Sequence, residues 1–367
     1  MSELQRPPAE IAHAGELTRL RDHDDASRLP RPPGWALSLP SVRRFVMGDA
    51  ELGLEPKFVG HPGVVERAMV TLATSRGLLL VGEPGTAKSL LSELLAAAIS
   101  GTSTLVIQGG ASLTEDQMKY GWNYALLVAD GPSLRSLVPA PLHDAMTSGR
   151  IARFEEITRC PVEVQDALLS ILSERAMAVP ELARDGDGSN AMLFAAEGFN
   201  VIATANTRDR GVNEMSAALR RRFNFETVFP ISDPAAELEL VEREAARLLA
   251  RSGVPTTPPL DLLEVLVTAF RELRSGQTIE GQHMEHLSSV LSTAEAVSVA
   301  HSIGVRAWYL RGGAPTAADV VDALSGTAVK DNAEDLVRLR AYLDHKVAGR
   351  KGARWKELAS ARHLLGS

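Results

Sequence analysis

The sequence predicts a three-layer αβα sandwich, built on a five-stranded and mostly parallel sheet, followed by an all-helical domain. Three observations carry this. Strand-like and helix-like segments alternate as far as residue 230, a glycine-rich loop joins an apolar run to an apolar-periodic segment, and after Pro230 the strand patterns stop. Strands that alternate with helices imply a parallel sheet covered on both faces. In such sheets ligands bind beyond the carboxyl ends of the strands, which is where the glycine-rich loop falls.

Composition narrows the field. The 367 residues suffice for two or three packed units. A content of 45% hydrophobic and 23% charged residues is ordinary for a globular protein, and no apolar run approaches the roughly 20 residues that span a bilayer. The start, Met1 to Glu16, mixes acids and prolines with scattered apolar residues, unlike a secretory leader. A cytoplasmic protein without a membrane partner is therefore expected. A single cysteine, Cys160, leaves no intramolecular disulfide and no Cys-rich zinc site. The net charge of −7, from 39 basic and 46 acidic residues, argues against broad nucleic-acid binding. One basic patch, Lys346, Arg350, Lys351, Arg354, Lys356 and Arg362 around Trp355, reads as a solvated helix end, with a nucleic-acid contact as the alternative.

Along the chain, residues 1–50 are rich in proline and mixed charge and form an extension, with a short helix near Ser41 to Met47. Residues 51–230 make up the α/β core. Its first helix runs through Val64, Val65, Ala68, Met69 and Leu72 into the strand Leu78-Leu79-Leu80-Val81, and a second helix covers Leu90 to Ile99. Further strands are expected at Thr104 to Gln108, Ile151 to Glu155, Phe199 to Ala205 and Phe223 to Val228. Behind Pro161, the apolar residues Val164, Ala167, Leu168, Ile171 and Leu172 fall on one helical face of Val162 to Arg175. Residues 231–335 form the helical domain and 336–367 a basic carboxyl-terminal helix or tail. Helices are expected at Ala235 to Arg251, Leu260 to Arg274, Met284 to His301, Ala317 to Val329 and Ala333 to Val347. The run Asp185 to Asn190 looks superficially like a calcium loop but lacks the acid at the twelfth position, where Ala196 stands, so a hairpin turn is expected. His283 and His286 have no third ligand for a metal.

The chemistry concentrates on Gly82-Glu83-Pro84-Gly85-Thr86-Ala87-Lys88-Ser89. A loop of this kind turns backbone N–H groups inward to cradle phosphates, and the helix behind it adds roughly half a positive charge. Lys88 would reach the β- and γ-phosphates, and the Ser89 hydroxyl would ligate Mg²⁺. Glycine usually precedes the lysine; here Ala87 does. The third strand ends in two carboxylates, Glu155 and Glu156, the first suited to a metal's water shell and the second to polarising the attacking water. The fourth strand delivers Asn206 to the same edge, where its amide would hold that water.

These residues, with Ala-Thr-Ala-Asn and then Ala218-Leu219-Arg220-Arg221-Arg222-Phe223, resemble the AAA+ ATPases, and within them the MoxR branch. The resemblance runs from about Phe58 to about Val329. It extends to an insertion in the second helix at Gln108 to Ser133 and a hairpin between Met177 and Phe199. It implies a P-loop ATPase core with a helical lid, ATP and Mg²⁺ as cofactors, and a homo-oligomeric ring, a hexamer, acting as a chaperone-like remodelling machine. Val59 and Gly60 would lie against adenine, Gly82 to Leu90 would hold the nucleotide, and Ser89 with Glu155 would hold the metal. Glu156 and Asn206 would act on the water, and Arg221 or Arg222 on a neighbouring subunit's γ-phosphate. A von Willebrand factor A domain protein is the partner the branch implies.

The chain departs from the family twice. Glu155 stands where aspartate is usual, lengthening the side chain by roughly 1.5 Å, which implies slow turnover or an adjusted backbone. The second sensor arginine is missing from Leu291-Ser292-Thr293-Ala294-Glu295, with Arg306 as a substitute from another position. Two readings compete with a remodelling ATPase: a nucleic-acid-associated NTPase motor, and a slow or non-hydrolysing nucleotide-dependent scaffold.

Overall fold

The computed structural model describes residues 4–182, 192–206, 213–288, 291–329 and 332–365. The chain divides into two compact units. One comprises Met1–Glu83 with Ala87–Val228, and the other Pro84–Thr86 with Phe229–Ser367.

In the first unit the strands are β1 (Gly77–Gly82), β2 (Val106–Gln108), β3 (Tyr120–Trp122), β4 (Leu137–Pro139), β5 (Ile151–Glu155), β6 (Ala176–Ala178), β7 (Met192–Phe194), β8 (Asn200–Asn206) and β9 (Phe223–Thr227). Five of them form one sheet in the order β2-β5-β8-β1-β9, with every neighbouring pair parallel. The expected core is thus a parallel sheet throughout. Alternate residues serve opposite faces, as a doubly covered sheet requires. Leu78, Leu80, Ile151 and Ile202 join one core, while Leu79, Ala152, Phe154, Val201 and Ala203 join the other.

Helix Lys88–Ser100 and helix Pro62–Leu72 cover the first face with Leu91, Leu94, Leu95, Val65 and Met69. The second face is covered from helix Pro141–Ser148, through Leu142, Ala145 and Met146. The stretch expected as one helix at Val162 to Arg175 is two, Val162–Asp166 and Leu168–Ser173. At Ala167 ψ is only −17°, so the backbone tightens there and the regular ladder breaks. The region between β2 and β5 carries the β3–β4 hairpin, and β6 pairs with β7 antiparallel where a hairpin is expected. The calcium-like stretch Asp185 to Asn190 lies outside the described residues.

The proline-rich extension proves largely helical, with helices Ala9–Ala12, Ala14–Ser27 and Leu39–Met47. The longest escapes notice in the sequence because Arg19, Arg21, Asp22, Asp24 and Asp25 interrupt any apolar stripe. It nonetheless sends Leu17 and Leu20 into the first-face core beside Trp35, Leu37, Phe45 and Val46. Asp24, itself buried, fastens it: the Ser38 amide (2.6 Å) and the hydroxyls of Ser38 (2.7 Å) and Ser41 (2.6 Å) all donate to its carboxylate. Burial alone would raise the Asp24 pKa, but these donors and the nearby Arg31 outweigh it and hold it below the ordinary value.

The second unit is helical, with its core formed by residues such as Leu262, Phe270, Val299, Val320 and Leu343. Buried acids tie its elements together. Glu237, fully buried, accepts from Arg271 (2.6 Å), Arg274 (2.9 Å) and Thr293 (2.6 Å). Asp335 accepts from the Ser288 amide (2.9 Å) and from Arg338 (2.8 Å). The helix expected from Met284 starts only at Thr293, because Ser292 and Glu295 form a capping box that fixes its first turn. It continues past His301 to Arg306 and a π turn at Ala307–Arg311. Arg306 faces acids of its own unit, pairing with Asp322 and lying 3.8 Å from Asp319.

The basic tail is largely neutralised within this unit. Arg350 bonds Glu272 and Glu280 and stacks 4.4 Å over the Trp355 ring; Arg354 meets Asp261 (2.8 Å) and Arg362 meets Asp344 (3.0 Å). Among the described residues no helix is long and apolar enough to cross a membrane.

Candidate nucleotide site

The phosphate loop leaves the carboxyl end of β1, which is flanked by β8 and β9. Its backbone shows why glycine is usual at position 87. Ala87 adopts φ 65° and ψ 25°, a left-handed conformation in which glycine carries no penalty and an L side chain costs about 1–2 kcal/mol. The geometry that glycine usually supplies is therefore kept, at the expense of local strain. Gly85 is also left-handed, at φ 75°. Lys88 opens the following helix and is buried, its Nζ donating to the carbonyl oxygens of Gly82 (3.1 Å) and Glu83 (2.7 Å). Those carbonyls hold the ammonium against the loop. Leu90, two residues on, is exposed at 39%.

Glu155 ends β5 and is only 5% exposed. Both of its oxygens are fully engaged. Oε2 accepts from the hydroxyls of Ser89 (2.7 Å) and Thr204 (2.8 Å), and Oε1 from the Ser92 hydroxyl (2.7 Å) and an Arg153 terminal nitrogen (2.8 Å). Burial would push the pKa of this carboxyl up; Ser89, Arg153, Ser92 and Thr204 together outweigh that and keep it below the ordinary value. The extra methylene of glutamate is thus absorbed by the side chains around it, while β5 stays in regular register with β2 and β8.

Glu156 follows in a left-handed conformation, φ 55° and ψ 46°. Its amide donates to the Thr204 hydroxyl (2.9 Å), and its half-buried carboxylate pairs with Arg159 at 3.1 Å. Gly109, the residue after β2, leaves room for this bend: a Cβ there would stand 2.2 Å from the Glu156 carbonyl oxygen. Asn206 lies in register with Gly82, so it reaches the sheet edge beside the start of the loop. The residues after it, 207–212, lie outside the described set.

The sheet thereby gathers Gly82, Lys88, Ser89, Glu155, Glu156 and Asn206 at one edge. Arg221 and Arg222 are at the other. They follow helix Ala217–Arg220, and Phe223 pairs with Gly77, the first residue of β1, while the loop leaves its last. At roughly 3.3 Å per residue the two ends of β1 are about 17 Å apart, well beyond the reach of an arginine side chain. Arg222 Nε donates to the Ser173 hydroxyl (2.5 Å), and its carbonyl accepts from the Gly77 amide (3.0 Å). Val59 and Gly60 sit between buried Phe58 and helix Pro62–Leu72; a Cβ at Gly60 would stand 2.5 Å from the Phe58 ring.

A hard cation such as Mg²⁺ demands oxygen donors, and the loop end of the site offers Ser89 Oγ and Glu155 Oε2 side by side. The residues fit it, Ser89 as a ligand and Glu155, already holding three hydroxyls and a guanidinium, through the metal's water. Sequence reading overlooked Arg153, Ser92 and Thr204. The available clue was Arg153 itself, a charged residue in an otherwise apolar strand and two positions before Glu155, hence on the same face.

Residues 77–223 match the AAA domain of the dynein-related subfamily, and residues 235–366 match the YehL-like AAA+ ATPase C-terminal domain. Together these matches define an AAA+ ATPase, and the chain is similar to Chaperone MoxR1 of Mycobacterium tuberculosis (strain ATCC 25618 / H37Rv), at 25% identity over 311 residues, covering 83% of this chain and 74% of that one. Within that class it belongs to the YehL family: it is 59% identical over 364 residues to Uncharacterized protein YehL of Escherichia coli (strain K12), covering 99% of this chain and 98% of the relative. Among solved structures, NtrX from Brucella abortus in complex with ADP superposes with a TM-score of 0.45 at 13% identity, over 77% of this chain and 55% of that one.

Proposed function

We propose that this chain binds and hydrolyses ATP with Mg²⁺ and works as a homo-oligomeric ring, a hexamer, that remodels or loads a partner protein in the cytoplasm. The observation that carries the reading is the convergence of Lys88, Ser89, Glu155, Glu156 and Asn206 on one sheet edge, joined by the Ser89–Glu155–Thr204 bonds. Kinship with a chaperone supports the partner-directed part, and we propose as that partner a von Willebrand factor A domain protein, the one the motif resemblance implies.

In this reading Lys88 exchanges its two carbonyl partners for phosphate oxygens, and the loop amides orient the triphosphate. Bound Mg²⁺ would neutralise developing charge on the phosphates. Glu155 steadies Ser89 at the metal end. Glu156 draws the proton of the attacking water toward its carboxylate, and Asn206 fixes that water's direction. Arg222, with Arg221 as second candidate, completes the site of the next copy.

A second reading is favoured by one contact, the Glu156–Arg159 pair at 3.1 Å, which occupies the carboxylate that would polarise water. A protein that kept this pair with nucleotide bound would be a slow or non-hydrolysing scaffold. Phosphate release measured over a range of protein concentrations separates the two. Turnover in the native chain that Glu156→Gln abolishes, with ADP binding retained, supports the ATPase. Absence of turnover at every concentration, relieved by Arg159→Ala, supports the scaffold held by this pair. Lys88→Ala should lose tight binding of ATP in a direct titration, and unchanged affinity would remove the premise of both. Proteins that co-purify with Glu156→Gln but not with Lys88→Ala would identify the partner.

A further inference from the structure

Arg153 has no place in the roles given so far, yet it is the most heavily engaged buried cation near the site. It is 7% exposed, in a strand otherwise made of Ile151, Ala152 and Phe154 before the acids. A guanidinium is tolerated in such a place only when its donors are used, and here each of its nitrogens donates. Nε donates to the Ser92 hydroxyl (2.7 Å) and one terminal nitrogen to the Ser103 carbonyl (2.9 Å). The other donates to the Ser89 carbonyl (3.0 Å) and to Glu155 Oε1 (2.8 Å). Arg153 therefore touches both residues of the candidate metal end, Ser89 through its backbone and Glu155 through its carboxylate.

The division of labour on Glu155 follows. Its inner oxygen, Oε1, is taken by Arg153 and by Ser92, whose hydroxyl receives from Arg153 and donates to Glu155. Its outer oxygen, Oε2, is thereby turned to Ser89. An aspartate at this position, one methylene shorter, could not span Arg153 and Ser89 together without moving the strand, and β5 is laddered on both sides. We infer that Arg153 is a positioning residue for the metal end of the site, and that Glu155 serves in place of aspartate only as one member of an Arg153–Ser92–Glu155 unit. The inference rests on the nucleotide-site reading above. It makes Mg²⁺ affinity depend on a guanidinium that contacts neither nucleotide nor metal.

The test uses the full-length chain and calorimetric titration of ADP, in EDTA and at a series of Mg²⁺ concentrations, with circular dichroism to verify folding. Supporting residues behind a metal ligand typically set 10- to 100-fold of its affinity. Arg153→Met should accordingly raise the Mg²⁺ concentration that gives half of the metal-dependent gain in ADP affinity by about tenfold or more. Its ADP affinity in EDTA should stay within about twofold of the native chain, because a positioning role acts on the metal end alone. Arg153→Lys, which restores charge but not the planar fork, should recover only part of the loss. Glu155→Asp should impair Mg²⁺ response in the native chain and have little further effect in Arg153→Met, since the unit is already broken. If Arg153→Met destabilises the fold, Ser92→Ala, which takes one donor from Glu155 Oε1 and one acceptor from Arg153, should raise that Mg²⁺ concentration in the same direction with ADP affinity in EDTA unchanged, and an unchanged Mg²⁺ response there would count against the unit. Equal Mg²⁺ response in Arg153→Met and the native chain, or additive effects of Arg153→Met and Glu155→Asp, would overturn the inference while leaving the ATPase reading intact. A native chain whose ADP affinity ignores Mg²⁺ would overturn both.

Discussion

The two edges of the parallel sheet are built on opposite principles. At the carboxyl edge, Lys88, Glu155 and Thr204 are buried, every oxygen of Glu155 is bonded, and two residues, Ala87 and Glu156, hold left-handed backbones. At the amino edge, Arg221 is exposed, and Arg222 rests on a single serine hydroxyl. The first edge spends folding energy on fixing groups in place, and the second leaves its cations accessible. The contrast teaches that stability and rate should respond separately to substitution at the two ends.

The largest effect is therefore expected at the amino edge and in rate alone. If Arg222 completes a neighbour's site, Arg222→Ala should cost on the order of 10³–10⁵ in turnover, or about 4–7 kcal/mol of transition-state stabilisation. ATP affinity should persist, and stability to urea should change by no more than about 0.5 kcal/mol, as at other positions outside the core. Mixing Arg222→Ala with Lys88→Ala should recover part of the activity, because one mixed interface has an intact loop facing an intact arginine. A lack of rescue, or a fall in turnover matched by a fall in stability, would erase the contrast. At the carboxyl edge, Thr204→Val keeps the shape of the side chain but strands the Glu156 amide and removes a donor from Glu155. Leaving a buried donor unpaired costs about 1–3 kcal/mol, so denaturant unfolding should show the loss even without nucleotide.

The smallest effect sharpens the comparison most. Ala87→Gly relieves a left-handed alanine but adds unfolded-state freedom, a balance that should stabilise the chain by less than about 1 kcal/mol. Destabilisation instead would mean that the alanine methyl is needed for packing, and that the strain account of the loop is wrong.

Much of this was legible in the sequence, for identifiable reasons. The sheet strands announced themselves because apolar runs ended at glycine or acids, and the acids at 155 and 156 could be placed at a strand end from that alone. Helix Ala14–Ser27 was hidden because its contact with the core is made by few residues, Leu17 and Leu20 among them, amid charges. The start at Thr293 was hidden because the capping box of Ser292 and Glu295 sits inside an otherwise continuous apolar pattern. The roles of Arg153 and Thr204 were illegible for a different reason. Their partners, Ser89, Ser92, Ser103, Glu155 and Glu156, come from other segments or from alternate positions of one strand, and only the strand register brings them together.

Strand β1 also acts as a gauge length. Its first amide is bonded to Arg222, its last residue stands in register with Asn206 at the mouth of the loop, and it is laddered along both sides. A fully laddered strand neither stretches nor slips by less than a two-residue step without turning its side chains to the wrong face. If Arg222 serves a neighbouring copy as proposed, the distance from it to the loop of its own copy is set by this strand. Movement between neighbouring copies would have to be a tilt or rotation of the entire α/β body.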